Sequence, residues 1–212
     1  MSDVKKTLWR LLAAALASLA VGCSDATIDA AVADAAEREC CADEEIASTT
    51  PLPDTSVWQM TSRWTDQHGD ARRLGDLRGQ ITVTAMIFTN CVYACPTLLA
   101  DVKAIRADLP PGAARYLLVS MDAERDQPDV LDAWAEQHDL DDQWTLLHGS
   151  AHAVRELAAV LGVNYTRSPT GDIAHSNLLT VLDRDGRIVH QQRGLQAENG
   201  ATVRAIRELI DG

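Results

Sequence analysis

The sequence predicts an α/β domain with a mixed central sheet and helices on both faces. Residues 81–89 and 115–121 are apolar, β-branched runs of strand length, which is typical of strands buried on both faces. Each run is followed by a segment with apolar residues at helical spacing. Near the C-terminus, the turn signal Asp-Arg-Asp-Gly at residues 183–186 separates two short strand patterns and adds an antiparallel hairpin.

The predicted elements follow the order β, α, β, α, β, α, β-hairpin, α. A short hairpin or edge strand is expected at residues 57–60 and 63–65, before a turn at residues 67–70. The strands are predicted at residues 81–89, 115–121, 144–147, 176–182 and 188–191, and the helices at 96–109, 128–138, 152–161 and 203–210. This alternation fits a thioredoxin-like sandwich.

The N-terminal region carries an export signal and a tether. Residues 1–22 combine basic residues with an apolar stretch that is too short to span a bilayer and suits a signal peptide. The stretch ends in Leu-Ala-Val-Gly-Cys, which resembles a bacterial lipobox and makes Cys23 the predicted lipidation site. An uncleaved N-terminal anchor is the alternative. Residues 23–55 are acidic and poor in large apolar residues, so they predict a flexible tether.

Either alternative for the N-terminus, a lipoprotein signal or an uncleaved anchor, predicts that the domain at residues 56–212 lies outside the cytoplasm. We expect a lipid-anchored protein of a bacterial cell envelope, attached to the membrane and facing the periplasm. The formal net charge of −12 argues against nucleic acid as a partner, because phosphate binding needs a basic surface.

Two thiols four residues apart form the strongest chemical signal. Cys91 and Cys95 lie between an apolar run and Pro96, and proline is tolerated in the first turn of a helix. Cys95 is therefore expected near the N-cap, where the helix dipole favours a thiolate. In an oxidising compartment, idle thiols become disulfides, so this pair is bridged, redox-active or metal-bound.

A distant histidine completes a possible ligand set. His175 lies just before another apolar run, and two sulfurs with one imidazole suit Cu(I) or Cu(II). A structural zinc site normally has a fourth protein ligand, and none is evident. Taken alone, a histidine just before a buried strand is more often an ordinary hydrogen-bonded residue of the core or its rim.

Several motifs resemble the Sco (SenC) family of copper chaperones over residues 58–210. These are Phe-Thr-Asn-Cys-Val-Tyr-Ala-Cys-Pro at 88–96, Val-Ser-Met-Asp-Ala-Glu-Arg-Asp at 119–126 and Asp-Ile-Ala-His-Ser at 172–176. The resemblance implies a thioredoxin-like fold, with Cys91, Cys95 and His175 as copper ligands. Many members carry proline where this chain has Val92, and Ala123 also replaces a usual proline.

The family resemblance further implies delivery of copper to the binuclear copper site of cytochrome c oxidase. The expected partner is the copper-bearing subunit of that oxidase or another extracytoplasmic copper protein. A second hypothesis is a thiol–disulfide oxidoreductase, in which Cys91 and Cys95 reduce the cysteines of the acceptor site. A third is a lipoprotein with a structural Cys91–Cys95 bridge.

Weaker candidates remain beside this set. Cys40 and Cys41 are either an auxiliary copper site or unstructured thiols in the acidic tether. Asp122 and Glu124 follow a predicted strand, where they would line the cysteine loop, orient His175, meet a partner or lie in a solvated loop. Met86 and Met121 fall in apolar strand patterns and are expected to pack in the core, as are Trp58, Trp64, Trp134 and Trp144.

Overall fold

The structure is a computed structural model, and it describes residues 51–212. The predicted signal peptide, the lipidation site Cys23, the pair Cys40 and Cys41 and the tether up to residue 50 lie outside the described residues. Among the helices of residues 51–212, none has the length and apolar character needed to cross a bilayer.

Within residues 51–212, nine strands form two sheets. They are β1 (Trp64–Asp66), β2 (Ala71–Arg72), β3 (Thr82–Ile87), β4 (Arg115–Ser120), β5 (Trp144–Gly149), β6 (Tyr165–Arg167), β7 (Ile173–His175), β8 (Leu178–Leu182) and β9 (Ile188–Arg193). Seven of them form a mixed sheet in the order β2-β1-β5-β4-β3-β8-β9, and β6 with β7 forms a separate hairpin. The central strands β3, β4 and β5 are parallel, whereas β8 runs antiparallel to β3.

In the described part of the chain, four α-helices pack against the large sheet. They are α1 (Ala94–Ala107), α2 (Pro128–Gln137), α3 (Ala151–Leu161) and α4 (Gly200–Asp211). All six residues of β3 are buried, so both faces of the sheet are covered. The predicted mixed sheet with helices on both faces is thereby confirmed. The core contains Met86, Met121 and the four tryptophans expected there.

The sheet topology decides where the cysteine loop and His175 meet. The loop follows the C-terminal end of β3, and His175 comes just before β8. Because β8 is antiparallel to β3, with Ala85 opposite Leu179, the start of β8 lies beside the end of β3. Segments about 80 positions apart in the sequence are therefore neighbours, because the C-terminal end of β3 lies beside the N-terminal end of β8.

The structure differs from the sequence predictions in three places. The strand expected at residues 57–60 is a short 3-10 helix (Val57–Gln59), because Ser56 Oγ accepts the N–H of Trp58 and caps it. The helix expected from residue 96 begins two residues earlier, at Ala94. The β6–β7 hairpin was not expected, since its short and largely exposed strands carry no clear alternation of apolar residues.

Candidate metal centre

The cysteine loop folds back so that each thiol sulfur accepts a backbone N–H. The N–H of Cys95 lies 3.2 Å from Cys91 Sγ, and the N–H of Phe88 lies 3.5 Å from Cys95 Sγ. Both cysteines carry free thiols. Cys91 is half-buried, whereas Cys95 is fully buried at 0% exposure. The two sulfurs therefore differ in accessibility although the same loop presents them.

The prediction that Cys95 caps the helix is wrong by two positions. Tyr93 is the N-cap, and its carbonyl accepts the N–H of Thr97, which makes Cys95 a member of the first turn. A first-turn N–H has no partner within the helix, and here Cys91 Sγ supplies one. Pro96 also lies in this turn, where its missing N–H costs nothing.

The expectation of a thiolate at Cys95 is also wrong for the metal-free protein. Burial raises the pKa of the Cys95 thiol, and the nearby Cys91 and Asp126 raise it further, against the weaker effect of the Phe88 N–H. Loss of solvation by a buried anion thus outweighs the helix dipole. Cys95 is consequently a neutral thiol near neutral pH.

The β6–β7 hairpin presents His175 to the buried thiol. His175 is the last residue of β7 and pairs with Tyr165. Its Nε2 lies 4.0 Å from Cys95 Sγ, and its ring meets the Phe88 ring edge-to-face with centroids 5.7 Å apart. His175 and Cys95 thus lie side by side, and Cys91 lies in the adjoining loop.

Hydrogen bonding sets the tautomer of His175. The Nδ1 atom lies 3.2 Å from the Ser176 carbonyl oxygen, which can only accept, so Nδ1 carries the proton. The lone pair of Nε2 then faces the Cys95 sulfur. Burial lowers the pKa of His175, only partly opposed by the bond to Ser176. At neutral pH the ring is uncharged and its Nε2 lone pair is available, which is the form in which histidine binds metals.

The separation of sulfur and nitrogen suits a shared metal ion. Metal–sulfur bonds of about 2.3 Å and metal–nitrogen bonds of about 2.1 Å at a trigonal angle place the two donors about 3.8 Å apart. The observed separation is 4.0 Å. Within residues 51–212, however, no three His, Cys, Asp or Glu side chains already converge tightly enough to hold a metal. For all three side chains to bind one ion, Cys91 would have to turn towards the pair.

Two side chains of the loop between the cysteines lie in solvent. Val92 is 95% exposed and Tyr93 is 68% exposed, so neither side chain packs against the core. They are the most exposed large hydrophobic residues of the described region, and they lie beside the accessible thiol. The residue types and the geometry fit a soft metal such as copper.

Two buried aspartates lie beneath the site, and sequence reasoning missed the role of Asp126 and the burial of Asp122. Asp126 accepts hydrogen bonds from the backbone and hydroxyl of Thr89, two residues before Cys91, and from the hydroxyl of Ser120. Asp122 accepts hydrogen bonds from Arg125 and Arg167. Both are 0% exposed, whereas a charged loop after a strand usually lies in solvent. The sequence signal was weak: the two residues follow the buried strand β4 by two and six positions.

The other polar candidates differ in exposure. Glu124 is exposed. His68 and His152 are exposed, and His138, His148 and His190 are half-buried.

Comparison with known proteins identifies related chains. The model of the SCO1/SenC family matches residues 54–211. A curated relative, the SCO1 protein homolog of Bacillus subtilis (strain 168), is 26% identical over 137 residues, which are 62% of this chain and 71% of the relative.

Solved structures share the fold. ScoI of Bradyrhizobium japonicum with copper bound is 25% identical, with a TM-score of 0.59 over 70% of this chain and 96% of that chain. A SCO1/SenC family lipoprotein from Bacillus anthracis is 22% identical, with a TM-score of 0.64 over 72% and 95%. BsSco, described with a disulfide switch and as a member of the Sco family of cytochrome c oxidase assembly proteins, is 21% identical, with a TM-score of 0.63 over 76% and 98%.

Proposed function

Since this chain belongs to the SCO1/SenC family, we propose that it is an extracytoplasmic copper chaperone that helps to assemble the binuclear copper site of cytochrome c oxidase. Cys91, Cys95 and His175 bind Cu(I) or Cu(II) in this proposal. The observation that carries it is the 4.0 Å approach of the neutral His175 Nε2 to Cys95 Sγ, with Cys91 in the adjoining loop. The copper-bound structure of the Bradyrhizobium relative supports the choice of metal.

The three ligands have different parts in binding and release. His175 offers its lone pair without losing a proton, whereas the Cys95 thiol must lose its proton to the solvent as it binds the metal. Cys91, the accessible thiol, is the ligand that reaches incoming copper and later exchanges with a ligand of the acceptor. Three protein ligands leave a coordination position open for that exchange.

The proposed place of action is the cell envelope. The sequence supports this with its signal-peptide pattern and the predicted lipid anchor at Cys23. The related Bacillus anthracis protein is described as a lipoprotein. The acidic tether of residues 23–55 would give the domain a reach of roughly 30 Å from the membrane. The proposed acceptor is the copper-bearing subunit of the oxidase or another extracytoplasmic copper protein.

Copper titration of the reduced full chain tests the ligand set. The titration uses a Cys40→Ser/Cys41→Ser background, so that the two tether thiols do not compete for copper. We expect one copper ion per chain, and His175→Ala to weaken binding at least about tenfold and to change the absorption spectrum of the Cu(II) form.

The matched control is His190→Ala. His190 is also a half-buried histidine with one ring hydrogen bond, from Nε2 to Thr202 Oγ1 at 3.0 Å, but it lies on β9. This variant is expected to leave copper binding unchanged. If His175→Ala retains the affinity and spectrum of the parent, the three-ligand proposal fails.

A thiol–disulfide oxidoreductase is the second candidate, favoured by the two free thiols of unequal exposure. Cys91 would attack an acceptor disulfide as a thiolate to give a mixed disulfide, and Cys95 would then displace the acceptor thiol. The chain is oxidised to the Cys91–Cys95 disulfide while the acceptor gains two electrons and two protons. Under this candidate, His175→Ala leaves the stoichiometry of thiol exchange intact, and copper affinity is low in the parent.

A further inference from the structure

We propose that Asp122 is a positioning residue for His175, because its buried carboxylate ties the β6–β7 hairpin to the end of β4. The inference deepens the proposed copper site and rests on it for its functional meaning. The positioning of the hairpin by Asp122 can be measured directly in the metal-free protein.

Asp122 reaches the hairpin through two arginines. Its Oδ1 accepts a hydrogen bond from Arg167 Nη2 at 2.8 Å, and Arg167 is the last residue of β6. Its Oδ2 accepts a hydrogen bond from Arg125 Nε, and Nη2 of the same guanidinium donates to the carbonyl of Gly171. Gly171 lies in the turn between β6 and β7 and has φ +86°, which favours glycine. The hairpin is thus held at a strand and at its turn.

The charge of Asp122 makes this link strong. The side chain is 0% exposed, while Arg125 and Arg167 are 43% and 29% exposed. Burial alone raises the pKa of the Asp122 carboxyl, but the hydrogen bonds from the two arginines outweigh it and lower the pKa. A buried carboxylate without its partners is very unfavourable, so moving the hairpin away from Asp122 has a large free-energy cost.

The hairpin depends on such a link because it has little else to hold it. It is separate from the seven-stranded sheet and has three residue pairs. An isolated two-stranded hairpin is only marginally stable in water. Tyr165 and Ile173 give it partial burial against the core. Tyr165 pairs with His175 and is two residues from Arg167, so the ion pair acts close to the metal-site histidine.

The metal-free full chain provides the primary test, with Asp122→Asn as the variant. We expect backbone amides of residues 165–175 to exchange with solvent about ten- to a hundredfold faster than in the parent. We also expect loss of the nuclear Overhauser contact between the rings of His175 and Phe88. Unchanged exchange together with a retained ring contact would overturn the proposal.

Asp66→Asn is the matched control. Asp66 is likewise a buried carboxylate, 2% exposed, paired with a 45% exposed arginine, Arg72. It lies on β1, which is separated from β3 by β5 and β4. This variant is expected to leave the hairpin amides and the ring contact unchanged. Equal acceleration of hairpin exchange in both variants would mean general loosening and would also overturn the proposal.

A milder variant covers the case in which Asp122→Asn does not fold. Arg167→Gln removes one link but leaves Asp122 paired with Arg125. It is expected to accelerate exchange of the β6 and β7 amides by a smaller factor than Asp122→Asn. Unchanged exchange in a folded Arg167→Gln protein would refute the assigned link.

Copper affinity measured in two backgrounds separates this inference from the proposed function. Asp122→Asn should weaken binding when His175 is present and have little further effect in His175→Ala. Equal weakening in both backgrounds contradicts a role through His175. If His175→Ala alone leaves copper affinity unchanged, the proposed ligand set fails, while amide exchange and the ring contact still decide whether Asp122 positions the hairpin.

Discussion

Removing the Asp126 carboxylate should loosen the cysteine loop and destabilise the whole domain. Asp126 is fully buried at 0% exposure. It accepts the Thr89 N–H at 3.0 Å, the Thr89 hydroxyl at 2.5 Å and the Ser120 hydroxyl at 2.5 Å. Asp126→Ala therefore leaves three donors without an acceptor, two of them directly before the thiol pair.

Opposing effects set the size of the loss. Each hydrogen bond to a charged group contributes about 1.5–3 kcal/mol, while removing a buried carboxylate returns several kcal/mol of desolvation cost. Water also reaches the half-buried Thr89 and satisfies part of what is lost. We expect a net decrease in the free energy of unfolding of about 2–4 kcal/mol. For a domain of this size that lowers Tm by about 5–15 °C.

Urea denaturation of the reduced protein, followed by tryptophan fluorescence, measures this change. Thr89→Val is the informative companion, because it removes one donor and keeps the side-chain shape. The two changes share a hydrogen bond, so the double variant should be more stable than additivity predicts, by about 1 kcal/mol. A loss below about 1 kcal/mol for Asp126→Ala, or strict additivity with Thr89→Val, would refute this account of the loop.

Three other predictions concern packing, pH and thiol reactivity. Gly149→Ala should cost about 1–3 kcal/mol in urea denaturation, because a Cβ there would lie 2.4 Å from the Trp64 ring. Burial raises the pKa of Asp66, but hydrogen bonds from Arg72 and from two backbone N–H groups outweigh it and lower the pKa. Asp66→Asn should therefore lower the free energy of unfolding by about 1–2 kcal/mol at pH 7, and by progressively less below about pH 4. Iodoacetamide at pH 7 should alkylate Cys91 and spare the buried, neutral Cys95, as read by peptide mass spectrometry.

Each of these has a control or a contrary outcome. For the glycine, Gly200→Ala is the control, because the nearest atom to an added Cβ is 3.6 Å away on a flexible Arg204 side chain. For Asp66, the direction of the pH dependence follows from its lowered pKa. The charged carboxylate stabilises the folded protein fully above the unfolded-state pKa, and this stabilisation disappears as the pH falls through the folded-state pKa. A stability difference that grows towards acid pH would contradict it. Equal alkylation of both thiols in the folded protein would contradict the burial of Cys95.

The sequence was sufficient for the strand and helix pattern because that pattern is local. Apolar β-branched runs and helical spacing predict β3, β4 and α1 without knowledge of their neighbours. Errors arose where local signals are weak. The hairpin β6–β7 is short and exposed, and residues 57–60 form a 3-10 helix through one serine cap.

The identity of the candidate ligands was also a sequence property, because thiols and imidazole are rare, distinctive groups in an informative order along the chain. The tertiary structure decided their distance and their protonation. His175 meets Cys95 since β8 lies antiparallel to β3, and Cys95 is a neutral thiol since its helix turn is buried. The burial of Asp122 and Asp126 was likewise decided by tertiary packing, because desolvation depends on neighbours that no single segment contains.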